Sequence, residues 1–340
     1  MKKVSLIILF ALMLSCQNEK KSSENTTLKV DKYVDSVYTL NDAFKIGDVR
    51  RYGVEPGKGI GQHPKLLKDK LEVLLDISEL GIELYFPGGV YDRTLNVENR
   101  NKVKIVSDSA LFTGAINIKN STEIEIDGIV QSLSRFYTQN SNNININTII
   151  TKTDTITKAS NLRSTGCSIH GGSKNVTIKK ILIKDSGSGS DAYKYIKGGL
   201  VIHGHNNEPR DIKIDSAIVE SSDRHGAYLS GEDIEIKYLH IKKFGIGSVD
   251  NMAPMEGGID GEQKDFAGLW IKNCHDSFID KAIINAEDSK GKYTINFDIG
   301  EEFRPTTIEK LIIKNESSNN ELDKRIFSRT GVKYIELIEK

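Results

Sequence analysis

The sequence predicts a single all-β domain wound as a parallel β-helix behind an N-terminal capping helix. Short alternating strands recur along the chain, a second strand family precedes them, and an amphipathic segment stands ahead of both. The recurring strands are "NKVKIVSD" (101–108), "TEIEIDGI" (122–129), "NNININTI" (142–149), "KNVTIKKILI" (174–183), "RDIKIDSAIV" (210–219), "EDIEIKYLHI" (232–241), "SFIDKAIINA" (277–286) and "TTIEKLIIKN" (306–315). Each alternates a pair of apolar residues with polar ones and then takes a second apolar step. Val103, Ile124 and Ile144 are equivalent positions 21 and 20 residues apart, and Ile212 to Ile234 is 22. A repeat of that length without helical periodicity means stacked β-coils, each burying its face on its neighbours.

The second family comprises "GAINIKN" (114–120), "GCSIHGG" (166–172), "GLVIHGH" (199–205), "GAYLSGE" (226–232), "GLWIKNC" (268–274) and "TINFDIG" (294–300). If Ile118, Ile169, Ile202, Leu229, Ile271 and Phe297 point inward, strand alternation sends their neighbours outward. That outward set is Asn117 and Lys119, Ser168 and His170, Val201 and His203, Tyr228 and Ser230, Trp270 and Lys272, Asn296 and Asp298. His203 is then expected one coil above His170, about 4.8 Å away.

The amphipathic segment is "HPKLLKDKLEVLLDISELG" (63–81), with Leu66, Leu67, Leu71, Leu74 and Leu75 on one helical face and a stop at Gly81. A helix there can cover the open end of a solenoid, which would otherwise expose apolar side chains and sheet edges.

The stretch "DVRRYGVEPGKGIG" (48–61), a helix, then "GIELYFPGGVY" (81–91) resembles the entry segment of pectate-lyase-like β-helix proteins, a group of polysaccharide lyases, polygalacturonase-type hydrolases and phage depolymerases. The motif likeness spans about residues 46–95, and the remainder is alike by repeat pattern. One departure is Gln62-His63-Pro64-Lys65, where such proteins often carry acidic residues. The resemblance implies a right-handed coil and a carbohydrate-active enzyme.

At the N-terminus, Lys2 and Lys3 precede an apolar run from Val4 to Leu14, then Ser15-Cys16 and a polar stretch. That is the layout of a signal peptide, and "LMLSC" resembles a bacterial lipobox with Cys16 as the lipidated residue. The expected organisation is a signal peptide over 1–15, a lipidated flexible tether over 16–40, an entry segment and capping helix over 41–81, and the β-helix over 82–340. An envelope protein that meets the membrane through its lipid follows. With 47 basic and 47 acidic residues among 340, no global field draws the chain to nucleic acid. Cys167 and Cys274 lack any CxxC partner and read as small buried residues rather than zinc ligands.

Four of the seven histidines fall between His170 and His225. Around them the outward wall gathers Tyr228, the chain's one tryptophan (Trp270) and Lys272, with Asp223, Arg224, His225 and Lys197 in adjoining loops. Exposed rings offer apolar area to sugar faces. β-Elimination on a uronate polysaccharide needs its carboxylate neutralised, a base, and an acid for the leaving oxygen. Arg224 and Lys272 fit the first role, His203 or His225 the second, and Tyr228 either proton-transfer role. His170, Lys197, Trp270 and Asp298 are expected to bind substrate.

Hydrolysis would instead need two carboxylates roughly 5–9.5 Å apart, for which the candidates are Asp250, Glu256, Asp260, Glu262 and Asp298. The hydrolase motifs of the group (Asn-Thr-Asp, Asp-Asp, Gly-His-Gly, Arg-Ile-Lys) do not occur, so none of those roles carries over. Calcium is the cofactor that Asp250, Glu256, Asp260 and Glu262 would take, as hard oxygen donors. His203 and His205 would suit a transition metal, but no third ligand is identifiable for them. The remaining class is a surface lipoprotein that holds glycan without cleaving it.

Overall fold

The computed structural model describes residues 32–34, 36–153, 166–187, 198–204, 207–246, 267–289, 291, 293–298, 304–315 and 334–338, with the backbone but not the side chains of Asp298 and Leu337. The chain forms a parallel β-helix. Among the described residues, eighteen strands pair in parallel into one continuous curled sheet with three faces. The first face is a wall of short strands: Leu95–Glu98, Ile116–Lys119, Phe136–Gln139, Cys167–His170, Gly198–His203, the start of His225–Ile241, Ala267–His275 and Tyr293–Asp298. The other two faces come from single longer strands that bend. In Lys174–Asp185, for example, pairing runs through Ile178, skips Lys179 and resumes at Lys180.

Isoleucine sets the core. Ile126, Ile146, Ile178, Ile214, Ile236, Ile279 and Ile308 stack in register through seven coils, all buried. β-Branched side chains with restricted rotamers suit such columns, and each burial contributes about 1.5–3 kcal/mol.

The corner after the wall is built from asparagine and serine. Asn120, Asn140, Asn143 and Asn175 hold left-handed backbone with φ of 48°, 49°, 56° and 51°, a region that asparagine tolerates better than most residues. Amides ladder between coils, as Asn175 Nδ2 donates to Asn142 Oδ1 at 2.9 Å. Buried serines satisfy the turning backbone: Ser121 N–H donates to Ser141 Oγ at 3.2 Å. At the opposite end of the wall strand, glycine is a steric necessity. A Cβ on Gly226 would lie 2.4 Å from Ile241 Cγ2 and 2.6 Å from Gly268 O.

The capping helix is shorter than its apolar pattern predicts. It runs Lys70–Glu79, with Asp69 as N-cap accepting from Leu71 N–H. Leu66 and Leu67 precede it, are exposed, and stay out of the core; Leu67 sits at φ 53°. Leu71, Val73, Leu74, Leu75 and Ile77 face the core. Three carboxylates of the helix clasp Arg100 beside the first coils: Glu72 at 2.6 Å, Asp76 at 2.7 Å and Glu79 at 2.8 Å. Ser78 Oγ accepts from Lys104 N–H at 2.9 Å, so the helix also satisfies a strand edge. No helix among the described residues is long and apolar enough to cross a membrane.

Candidate functional site

Wall register brings the expected outward residues together. Tyr137, Ser168, Val201, Tyr228, Trp270 and Asn296 form one row, and His170 pairs with His203 in the next. Their rings make an unbroken run up the wall. Centroids lie 4.8 Å apart for Tyr137 and His170, 6.1 Å for His170 and His203, 5.3 Å for His203 and Tyr228, and 5.8 Å for Tyr228 and Trp270. The two contacts of His203 are edge-to-face, an arrangement that ring quadrupoles favour, and the other two are tilted.

The wall is less open than alternation alone suggests. Tyr137, His170, His203 and Tyr228 are half-buried and Lys272 is exposed. Val201 and Ser168 are fully buried, and Trp270 retains 8% of its surface. Trp270 packs with Ala267 and Tyr293 on the outside of the coil, with Tyr228 against them. Alternation reports which side of a strand a residue takes, not what lies over that side. The sealed Trp270 N–H has no hydrogen-bond acceptor among the described residues, a condition rare for a buried donor.

His225 also departs from expectation. It is 2% exposed, its ring lies 5.0 Å from Trp270, and its Nδ1 accepts from Ala267 N–H at 3.0 Å. A nitrogen accepting that bond cannot also carry a proton, so the neutral ring holds its proton on Nε2. It is therefore poorly placed as a base, and His203 is the better of the two expected bases. Arg224 is buried, and desolvation lowers its pKa from the ordinary arginine value. Such a guanidinium still carries its charge at neutral pH.

Three features escaped the sequence pattern. Tyr137 extends the ring run, with the Arg135 guanidinium 4.7 Å over its ring. Asn96, which accepts from Asn117 at 2.7 Å, leads the same row into a cleft of about 650 Å³ beside the cap, lined by Asp69, Glu72, Asp92 and Arg93. Asp185 lies near the start of the wall, where Ser186 pairs with Ser222 and donates to Gly198 O at 3.1 Å. Burial first, and then the charge of Asp223, push the Asp185 carboxyl up from 3.8 to about 6, against opposing hydrogen bonds from Ser186 and Ser221 and the charge of Lys152.

That shift has a definite pH signature. A folded-state pKa above the unfolded value means the native chain binds the extra proton, so this group's contribution to stability falls as pH rises from about 4 to about 6. With the group partly solvated, roughly 1–2 kcal/mol is at stake. Asp185→Asn should therefore gain stability over the parent at pH 7 and lose that advantage at pH 4. Thermal midpoints of both proteins across this range check it; a gap that does not narrow toward pH 4 would contradict the assignment.

Cys16, Lys197, His205, Asp250, Glu256, Asp260 and Glu262 lie outside the described residues, as does the Asp298 side chain, although the Asp298 backbone pairs with Lys272. The calcium expectation lies with those four acids. Cys167 and Cys274 are buried and unbridged. Comparisons with family models, with curated proteins and with solved structures return no match.

Proposed function

We propose that this chain is a carbohydrate-active enzyme of the cell envelope that cleaves an acidic, uronate-containing polysaccharide by β-elimination on the ring-bearing wall. The observation that carries this reading is the run Tyr137, His170, His203, Tyr228 and Trp270, with the cation Arg135 over Tyr137 and Lys272 exposed on the same wall strand as Trp270; Arg224 directly precedes His225 in the chain. Rings suit sugar faces, and cations suit uronate carboxylates.

In this reading Arg224 and Lys272 neutralise the substrate carboxylate, which acidifies the adjacent C–H. His203 removes that proton, and the Tyr228 hydroxyl, on the next ring, protonates the leaving oxygen. The unsatisfied Trp270 N–H is a donor for a hydroxyl or carboxylate of a chain that reaches it. The likeness of residues 46–95 to pectate-lyase-like proteins and the lipobox around Cys16 agree with a lipid-anchored enzyme of this class.

A screen of uronate-containing glycans, followed by the ultraviolet absorbance of the unsaturated product, tests the reading. New reducing ends without that absorbance would replace it by hydrolysis, for which Asp185 and Asp223 are the described carboxylates to examine. Tight glycan binding with no product would make the chain a binding lipoprotein.

A further inference from the structure

The third face of the coil, formed by the second halves of the long strands, carries an apolar row on its outer surface. Ile150, Leu182, Ile218, His240, Ile283 and Ile312 stand in register through six successive coils. Alternation places this row outside, since Ile181 and Ile183 on either side of Leu182 are fully buried. At about 4.8 Å per coil the row is roughly 24 Å long. A solvated outer face calls for polar residues at such positions.

Lysines border the row on both sides. Lys180, Lys281 and Lys310 share the flanking row toward the bend with Tyr238, and Lys184, Lys242 and Lys314 lie beyond the other edge. Glu220 holds Lys242 at 3.1 Å and Glu336 holds Lys310 at 3.0 Å. Among the described residues, no carboxylate lies within ion-pair distance of Lys180, Lys281 or Lys314. The field over the row is therefore positive. Burial first, and then the charges of Lys242, Lys314 and Lys281, push the His240 imidazole below its ordinary pKa. Ile283 and Ile312 keep 7% of their surface and Ile150, Leu182 and Ile218 are half-buried, while Lys180, Lys184 and Lys242 are exposed. The apolar row is thus the floor of a shallow trough between longer, charged side chains.

Charge and shape select the occupant. A second copy of this face would set lysines against lysines. A flat bilayer would meet the lysine ends first, and the floor lies too low to enter its apolar layer. A thin, extended polyanion reaches the floor and meets cations at both edges. A sugar chain also offers apolar ring faces to the isoleucines and to the Tyr238 and His240 rings, which stand edge-to-face at 6.1 Å. We propose that the third face is a second polysaccharide-binding groove, holding an extended anionic sugar chain along the coil axis with its ring faces on the Ile150–Ile312 row and its carboxylates on the lysines. The choice of a sugar chain rests on the polysaccharide reading above. The groove itself is separate from the ring-bearing wall and holds its ligand without cleaving it.

The test is equilibrium binding of polygalacturonate to the purified, unacylated chain, with dextran, duplex DNA and phosphatidylglycerol vesicles as comparators. Polygalacturonate should bind, dextran should not, and the affinity should fall as salt rises. Lys281→Glu should weaken binding by about threefold to tenfold, and Lys180→Glu combined with Lys281→Glu by more. Lys213→Glu makes the same change of charge on the second face and should retain the affinity. No binding by the parent, unchanged affinity in the double variant, or an equal loss in Lys213→Glu would each overturn the proposal. Lysine-dependent binding that prefers DNA or the vesicles would also overturn it, in favour of nucleic acid or a membrane. Cleavage is assayed separately: lysine-dependent binding without cleavage supports the groove and counts against elimination, whereas cleavage with binding unchanged in the double variant leaves elimination standing and removes the groove.

Discussion

Arg100→Met should lower the stability of the protein by about 2–4 kcal/mol, the largest effect expected of any single surface-proximal substitution here. The side chain is 11% exposed and hydrogen-bonds Glu72, Asp76 and Glu79 of the capping helix together. Burial works against its charge, but three hydrogen-bonded carboxylates more than offset that and hold its pKa above the ordinary arginine value. Methionine preserves much of the volume and leaves three acids facing one another without a counterion. Those acids are partly solvated, which keeps the expected cost below that of a fully buried pair. Because each coil leans on its neighbours, a loosened cap exposes the first coil's edge and lets unfolding start there. Urea midpoints of parent and variant measure the effect. A matched midpoint would mean that the helix is held by its apolar face alone.

On a working uronate substrate, Arg224→Ala and Tyr228→Phe should each lower kcat by about a hundredfold or more, some 2.7 kcal/mol of transition-state stabilisation. Arg224 is 6% exposed, and a cation in such surroundings acts on a nearby carboxylate through a weaker dielectric than water. Tyr228→Phe keeps the ring, and with it the contacts to His203 and Trp270 at 5.3 and 5.8 Å, while removing the hydroxyl. Its loss should therefore fall on kcat, with KM little changed. Arg224→Ala should affect both, since it meets a carboxylate already present in the ground state. Near-ultraviolet circular dichroism guards against reading misfolding as lost chemistry. Parent-like turnover in both variants would place the reaction on another face.

The coil register was legible because isoleucine alternation and a 20–22-residue spacing are local properties of the sequence. Their consequence, the columns through Ile126, Ile146 and Ile178, follows directly. The capping helix was legible in kind but not in length. Leu66 and Leu67 continue its apolar pattern, whereas Asp69 followed by Glu72 carries the N-terminal signal. Tyr137 was also within reach, because "FYTQN" (136–140) repeats the place of "INIKN" (116–120) one coil later.

Other features depend on contacts that no local pattern encodes. The shielding of Trp270 is set by what lies over the wall. The proton position on His225 is set by the Ala267 amide, 42 residues away.

Wall strands pair in step although the lengths of sequence between them differ, 31 residues from Tyr137 to Ser168, 33 from His170 to His203 and 42 from Tyr228 to Trp270. Tyr137 meets Ser168, His170 meets His203, and Tyr228 meets Trp270. A coil's interior is satisfied by the rungs above and below, so what is inserted between them places little demand on the core. Such an architecture separates inheritance into two rates. The isoleucine columns must drift together, while the corner segments can be lengthened, shortened or traded between descendants without renegotiating the scaffold. New ligand preferences can then arise by exchange of whole loops rather than by slow repacking.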